Sequence, residues 1–367
     1  MGKTFEIATF EGDGIGPEII GPTRAILREL SNKSEVYRLS FTSHPAGARH
    51  YAETGAALPD ASIRAAREAD AILLSAMGLP DIRYPDGTEI TPQIDLRMAL
   101  DLYAGVRPVR IGPGTPTAFK LPQGRLVDFV LIRESTEGLF YSKDAGVVEP
   151  DEARETLRIT RAKTEKLTRF AVDLARRRKA RGQGEGRVTC VDKANVFRAF
   201  AFFRSVFDGE MAKAPDIVAD HAYVDAMALW MVQKPWAFDV MVTENMFGDI
   251  LSDLGAGLMG GLGMAPSADI GDDHAVFQPC HGSAPDIAGQ GVANPFAMIL
   301  SGAMMLDWLG DRHGIPAMST DAARLEAAVA EVVGAGQALT VDLGGRTGTR
   351  DAARAVATAL GIGADAL

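Results

Sequence analysis

Cysteine is almost missing from this chain: Cys190 and Cys280 are the only two in 367 residues. That is too few for a disulfide framework and points to a reducing compartment in which both thiols stay free. Apolar runs of membrane-spanning length are also missing, and the opening MGKTFEIATFEGDG has neither the basic start nor the apolar stretch of a secretory signal. A cytoplasmic protein that does not enter the membrane is expected. Positive charge is in deficit, with 38 Lys and Arg against 48 Asp and Glu and a formal charge of −10. Nucleic acid is therefore a poor partner. An anionic ligand has to be held by local positive charge that overcomes the global field. No internal repeat or low-complexity tract is visible.

What is present is ordinary for a soluble globular protein: 47% apolar and 23% charged residues, in a chain long for one core and comfortable for two. Short apolar runs alternate with stretches of helical periodicity. Glu6 to Phe10, Val36 to Thr42, Asp70 to Ala76, Asp128 to Glu134, Arg187 to Val191, Asp216 to Ala219 and Phe238 to Val242 read as strands. Helices are expected after Pro17, from Asp60 (as N-cap) to Glu68, from Thr91 through Arg97, from Arg161 to Arg178, and from Ala222 to Trp230. The alternation indicates an α/β sandwich with a largely parallel sheet. Gly12, Gly14 and Gly16 permit a tight turn after the first strand, but their spacing is not GxGxxG, so a Rossmann domain is not expected. Residues 141–160 read as an excursion, a hairpin arm of the kind that clasps a second subunit. The basic helix after it reads as a solvated face.

The acidic pair Asp249 and Asp253 stands four apart on a helix following an apolar strand, so both carboxylates leave one face one turn apart. Two hard oxygen ligands there suit Mg²⁺ or Mn²⁺; the alternative is a solvated face near a helix start. Arg97, Arg107 and Arg133 each lie at or near an element's end and together would fork onto a carboxylate-rich ligand; singly, each reads as a surface residue. Lys193 follows a strand's carboxyl end, where α/β sheets place active residues. Asp225, among apolar neighbours, needs a partner. The stretches GLMGGLGMAPSADI and QPCHGSAPDIAGQGVANP read as glycine-rich loops able to approach a nucleotide, or as plain connections. His281, with no ligand-spaced His or Glu nearby, reads as stacking or hydrogen bonding rather than metal binding.

The segments GDGIGPE, LRMALDLYAGVRPVR, VDKANVFR, AYVDAMA, TENMFGDILSDLG and HGSAPDIAGQGVANP occur in one order from residue 12 to about 308. In them the chain resembles the β-decarboxylating dehydrogenases, which include isopropylmalate, isocitrate, tartrate and D-malate dehydrogenases. The resemblance implies a two-domain isocitrate/isopropylmalate dehydrogenase-like fold, an α/β/α sandwich. It implies a cofactor-binding domain from residues 1–102 and 260–367. A dimerisation and metal/substrate domain from 103–259, with an arm at about 135–162, would complete it. It implies a homodimer with shared active sites in a cleft. Arg97, Arg107 and Arg133 would bind the substrate carboxylates. Asp249 and Asp253 would hold the metal, with Asp225 and the proton-accepting Lys193 contributed across the dimer. His281, Gly282, Ser283, Ala284, Asp286, Ile287 and Asn294 would bind the cofactor. NAD rather than NADP is implied by Asp286 and Ile287, where NADP users tend to carry lysine and tyrosine; the acid would also repel the extra phosphate.

The chain departs from the family pattern at Phe140, where the family usually has a proton-donating tyrosine; Tyr141 is one step later. The helix before Arg97 carries Ile90, Gln93 and Ile94 rather than the acid and leucines of the leucine-pathway enzymes. The expected activity is NAD-dependent, Mg²⁺- or Mn²⁺-requiring oxidative decarboxylation of a 3-substituted (2R)-malate, nearest to 3-isopropylmalate. Isocitrate, tartrate, D-malate and homoisocitrate are alternatives within the class. A non-catalytic regulatory subunit is the alternative outside it.

Overall fold

The structure is a computed structural model and describes residues 2–143 and 145–363. Asp144, inside the expected arm, and the chain ends beyond those bounds lie outside the described residues. In chain order the first elements are β1 (Lys3–Phe10), α1 (Gly16–Lys33), β2 (Tyr37–Ser43), α2 (Ala48–Thr54), α3 (Asp60–Glu68), β3 (Ala71–Leu74) and α4 (Pro92–Ala99). Then follow β4 (Ala104–Ile111), β5 (Val127–Glu134), β6 (Val147–Val148), β7 (Ala153–Arg154), α5 (Arg161–Ala180), β8 (Arg187–Asp192), α6 (Arg198–Met211), β9 (Val218–Tyr223), α7 (Val224–Gln233), β10 (Val240–Thr243) and α8 (Asn245–Leu258). The chain closes with β11 (Pro266–Ile270), β12 (Ala275–Pro279), α9 (Phe296–His313), α10 (Pro316–Gly334) and α11 (Thr349–Ala359).

These elements form two compact units. One comprises Met1–Asp101, Gly112–Thr117 and Met259–Leu367; the other comprises Leu102–Ile111 and Ala118–Leu258. In the first, the strand order is β2-β1-β3-β12-β11, parallel except for β11, which runs antiparallel to β12. Helix α9 packs on β11 and β12, and α10 packs on α9. All four residues of β3 are buried, and burying each Leu or Ile side chain contributes about 1.5–3 kcal/mol. Strand β11 corrects the expectation of an unbroken loop through GLMGGLGMAPSADI: Pro266 to Ile270 are all buried. Two smaller differences concern helix ends. Pro59, not Asp60, caps α3, and Asp60 is its first helical residue. Helix α4 stops at Ala99, two residues before Asp101 takes a left-handed φ of 52°, so it ends sooner than the periodicity through LRMALDLYA suggests and Arg97 sits in its last turn.

The second unit has the order β4-β5-β10-β8-β9, with β5, β10, β8 and β9 parallel. Their carboxyl ends therefore share one edge, where Thr243 is paired with both Arg133 and Val191, and Asp192 with Tyr223. Helices α5 and α6 pack together on this sheet, as do α7 and α8. Residues 147–154 form the antiparallel pair β6 and β7, exposed throughout. The basic helix α5 is not simply a solvated face. Arg178 is 3% exposed and its guanidinium lies between Asp239 and Asp128.

Candidate active site

The shared carboxyl edge of β5, β10, β8 and β9 is where this unit gathers its charged side chains, as parallel sheets do. Arg133, at the end of β5 and 7% exposed, donates its Nε to the Asn245 carbonyl at 2.9 Å and its Nη1 to Asp249 Oδ1. The close pass of its stem explains the glycine in the first turns of α8: a Cβ at Gly248 would lie 2.5 Å from Arg133 Cγ. Glu244 caps α8 by accepting the N–H groups of Met246 and Phe247, which fixes the helix that carries both acids. Burial pushes the Asp253 carboxyl above the usual range, and the like charge of Asp249 adds to the rise. Arg107, 6% exposed, and Arg133 oppose it. Two acids and two arginines thus share one neighbourhood.

Lys193 and Asp225 form a separate contact, Nζ to Oδ1 at 2.6 Å. It joins the residue after β8 to the first turn of α7, and the lysine holds the Asp225 carboxyl below its ordinary value. Asp225 is 68% exposed, so its apolar sequence neighbours do not bury it, and the burial that its setting in the sequence suggested is not what pairs it with Lys193. Among the described residues no group of three or more His, Cys, Asp or Glu side chains that could hold a metal is assembled.

Arg97 belongs to the other unit. It is 6% exposed, its Nη2 donates to Asp269 Oδ2 at 3.1 Å, and its Nε is buried without a partner. The same Asp269 oxygen also accepts Gln278 Nε2 at 2.7 Å. Residues 281–294 of this unit form an irregular loop. Burial lowers the His281 pKa, so its ring is neutral, and its Nδ1 lies 2.9 Å from the Gly282 carbonyl. A carbonyl only accepts, so Nδ1 carries the proton and Nε2, buried and unpartnered, is a bare acceptor. Ser283 is turned inward, donating to the Gly78 carbonyl at 2.5 Å. Ala284 adopts a left-handed φ of 37°. Asn294 donates to Asp342 at 3.0 Å and caps α9 by accepting Phe296 N–H. Asp286 is exposed, Gly282 is exposed and Ile287 half-buried.

A family model described as isocitrate/isopropylmalate dehydrogenase matches residues 6–358. The chain belongs to the isocitrate/isopropylmalate dehydrogenase family. It is 41% identical over 353 residues, covering 96% of this chain and 98% of the other, to a 3-isopropylmalate/3-methylmalate dehydrogenase of Methanocaldococcus jannaschii. It is also 41% identical over 314 residues, 84% of this chain and 86% of the other, to a homoisocitrate dehydrogenase of the same organism. Among solved structures, the isocitrate dehydrogenase of Methylococcus capsulatus superposes with a TM-score of 0.83 at 37% identity, covering 97% of this chain and 99% of that one. The protein is accordingly an enzyme, a decarboxylating dehydrogenase of this family with its two-domain α/β fold.

Against the family pattern, Phe140 and Tyr141 lie in a 3₁₀ turn, Leu139–Ser142, not on an extended segment. Tyr141 is 50% exposed, with the Arg158 guanidinium 4.0 Å above its ring. Sequence reasoning did not single out Glu244, Asn245 or Asp342, which position α8, Arg133 and Asn294. For Glu244 a signal was present, an acid just ahead of an amphipathic run, where a helix start favours negative charge. For Asp342 there was none.

Proposed function

We propose that this enzyme carries out the NAD-dependent oxidative decarboxylation of a 3-substituted (2R)-malate, most like 3-isopropylmalate, to a 2-oxo acid and CO₂. The reading rests above all on one observation: Asp249, Asp253, Arg107 and Arg133 share one neighbourhood in the second unit, two acids for a cation beside two arginines for a carboxylate. Isocitrate, tartrate, D-malate and homoisocitrate are the competing substrates within the class.

The residues fit a divalent ion. Asp249 and Asp253 present hard oxygens one turn apart, and burial, with the charge of Asp249 adding to it, raises the Asp253 carboxyl. Mg²⁺ or Mn²⁺ would be held by Asp249 and Asp253 of one chain with Asp225 from a second copy. When bound, it would stabilise the negative charge that develops on the substrate as CO₂ leaves. Lys193, once its own proton has passed on by way of Asp225, would accept the hydroxyl proton, and the cofactor, when bound, would supply the hydride acceptor. Arg133 already donates Nη1 to a carboxylate, that of Asp249, and a substrate carboxylate would be bound by the same guanidinium. Arg107 and Arg97 complete the set of carboxylate-binding residues.

The unit holding both termini is the proposed cofactor unit. Asp286, which is exposed, would accept two ribose hydroxyls while repelling a 2′-phosphate, and His281 would stand beside the adenine. Gly282, Ser283, Ala284, Ile287 and Asn294 shape the loop. A homodimer is supported by the apolar side chains Leu229, Val232, Met246 and Ile250, exposed on α7 and α8. The scarcity of cysteine supports a cytoplasmic location, and no described helix is long and apolar enough to cross a membrane.

The test is a panel of 3-isopropylmalate, isocitrate, homoisocitrate, tartrate and D-malate with NAD and Mn²⁺, with and without chelator. NADH formation on at least one substrate, abolished by chelation and restored by Mn²⁺, is expected. No NADH from any of the five, or turnover indifferent to chelator, would refute the proposal. The D286N variant should lose more affinity for NAD than for NADP, and equal losses would remove the ribose role.

A further inference from the structure

The first glycine-rich motif is docked on the loop of residues 281–294. Ile15 N–H donates to the Ser283 carbonyl at 2.8 Å, and a Cβ on Gly14 would meet that oxygen at 1.9 Å. One turn into α1, Glu18 accepts the backbone N–H of Gly289 and, at 3.1 Å, that of Gly291. Both glycines are left-handed, with φ of 78° and 67°. Their N–H groups face a single carboxylate, the arrangement by which backbone nests hold anions. Here the anion is the protein's own side chain. Beyond Gly291 the loop is tied again, by Thr349 N–H to the Gly291 carbonyl at 2.8 Å and Thr349 Oγ1 to the Ala293 carbonyl at 2.6 Å.

Between the Ser283 anchor and the Glu18 anchor lies the Asp286–Ile287 turn. Asp286 is exposed, and its backbone carbonyl is held from within the loop by Gln290 Nε2 at 2.8 Å. The direction of its side chain is therefore set by the shape of the turn, and that shape by what holds residues 289 and 291. Charge-assisted bonds to backbone N–H groups are roughly twice as strong as neutral ones. A carboxylate holding two of them fixes the end of the turn.

We propose that Glu18 is a positioning residue for the cofactor: by gripping Gly289 and Gly291 it sets the Asp286–Ile287 turn in the form that receives the dinucleotide. This rests on the reading that the loop binds NAD. Glu18 itself touches neither substrate nor cofactor in this account, so its effect should fall on dinucleotide affinity and leave the chemical step alone.

The experiment is calorimetric titration of NAD into the full-length wild type, E18A and E18Q, with melting temperature, kcat and both KM values measured alongside. For E18A the expected rise in Kd and KM for NAD is roughly tenfold, equivalent to about 1.4 kcal/mol. Turnover at saturating NAD should stay within about twofold, with the KM for the hydroxy acid unmoved. Glutamine keeps one acceptor oxygen and adds a donor that opposes the second N–H, so E18Q should fall between; it carries the test if E18A does not fold. Equal NAD affinity in the variants and the wild type would overturn the proposal. Parallel losses in kcat and both KM values would do so too, because they mark general loosening. A wild type that takes up no dinucleotide would remove the loop assignment itself, and this proposal with it.

Discussion

Lys193 Nζ stands 2.6 Å from Asp225 Oδ1, joining two residues 32 apart in sequence across the ends of the neighbouring strands β8 and β9. The contact is partly open to solvent, with the lysine side chain 23% and the aspartate side chain 68% accessible, so it is no stabilising core pair. The proposed function gives it a part in proton transfer. Replacing Lys193 with Met should lower kcat by about 10²- to 10⁴-fold, the usual contribution of a general acid or base. Mn²⁺ affinity, measured by titration, should change far less. A K193M enzyme with near-normal turnover would remove Lys193 from the chemistry.

Tyr141 is not expected to act as the proton-donating tyrosine whose place in the family pattern Phe140 holds. Its ring is half exposed and covered by the Arg158 guanidinium at 4.0 Å, a cation–π contact of modest strength. In a 3₁₀ turn, neighbouring side chains leave the axis about 120° apart, so a one-residue offset cannot restore the direction of Phe140. The Y141F variant should keep kcat within about twofold across the pH range; a loss beyond about 100-fold would identify its hydroxyl as a proton donor.

Which parts of this fold could be read from the chain depends on whether the deciding partner is local. Strand β10 announces itself as an apolar run, and α8 by its periodicity, since both signals sit in adjacent residues. Strand β11 does not. Its Ser267 and Asp269 read as loop residues, yet Ser267 Oγ donates to the Gln278 carbonyl and Asp269 meets Arg97 from 172 residues away. Distant partners make polar residues suitable for burial, and composition cannot reveal them. The candidate site divides the same way. Residue types and helical spacing pointed to Asp249 and Asp253, and strand ends to Lys193. The pairing of Arg97 with Asp269, the inward turn of Ser283 and the grip of Glu18 on Gly289 are products of tertiary placement.

Acid should expose the Arg176–Asp216 contact. The forked bonds, Nε to Oδ2 and Nη2 to Oδ1 at 2.7 Å each, hold the Asp216 carboxyl down at about 2 against an ordinary 3.8. A folded-state value below the unfolded one contributes stability that is complete above the unfolded pKa and lost as pH falls through the folded one. The window therefore runs from just below 3.8 down to about 2. R176M should unfold at a slightly lower urea concentration than wild type at neutral pH, with the gap closing as pH falls through that window. A gap that widens in acid would contradict the assignment.

Arg178 offers the sharpest stability test, because it is the basic residue of α5 that the fold buries. Its side chain is 4% exposed and Asp239's is 6%. Nε donates to Asp239 Oδ1 at 2.7 Å, Nη1 to Asp128 Oδ1 at 3.0 Å, and Nη2 to the carbonyls of Asp128 and Gln183. Asp239 in turn accepts the N–H groups of Gly186 and Arg187, so one guanidinium ties α5, β5 and the entries to β8 and β10 together. Removing it strands a buried carboxylate, and breaking such a pair from one side costs about 3–5 kcal/mol. R178M should therefore show a markedly lower denaturation midpoint than wild type. In R178M/D239N the stranded charge is gone, so part of the loss should return. A double variant less stable than R178M would mean that Asp239 serves the two backbone N–H groups more than it serves the arginine.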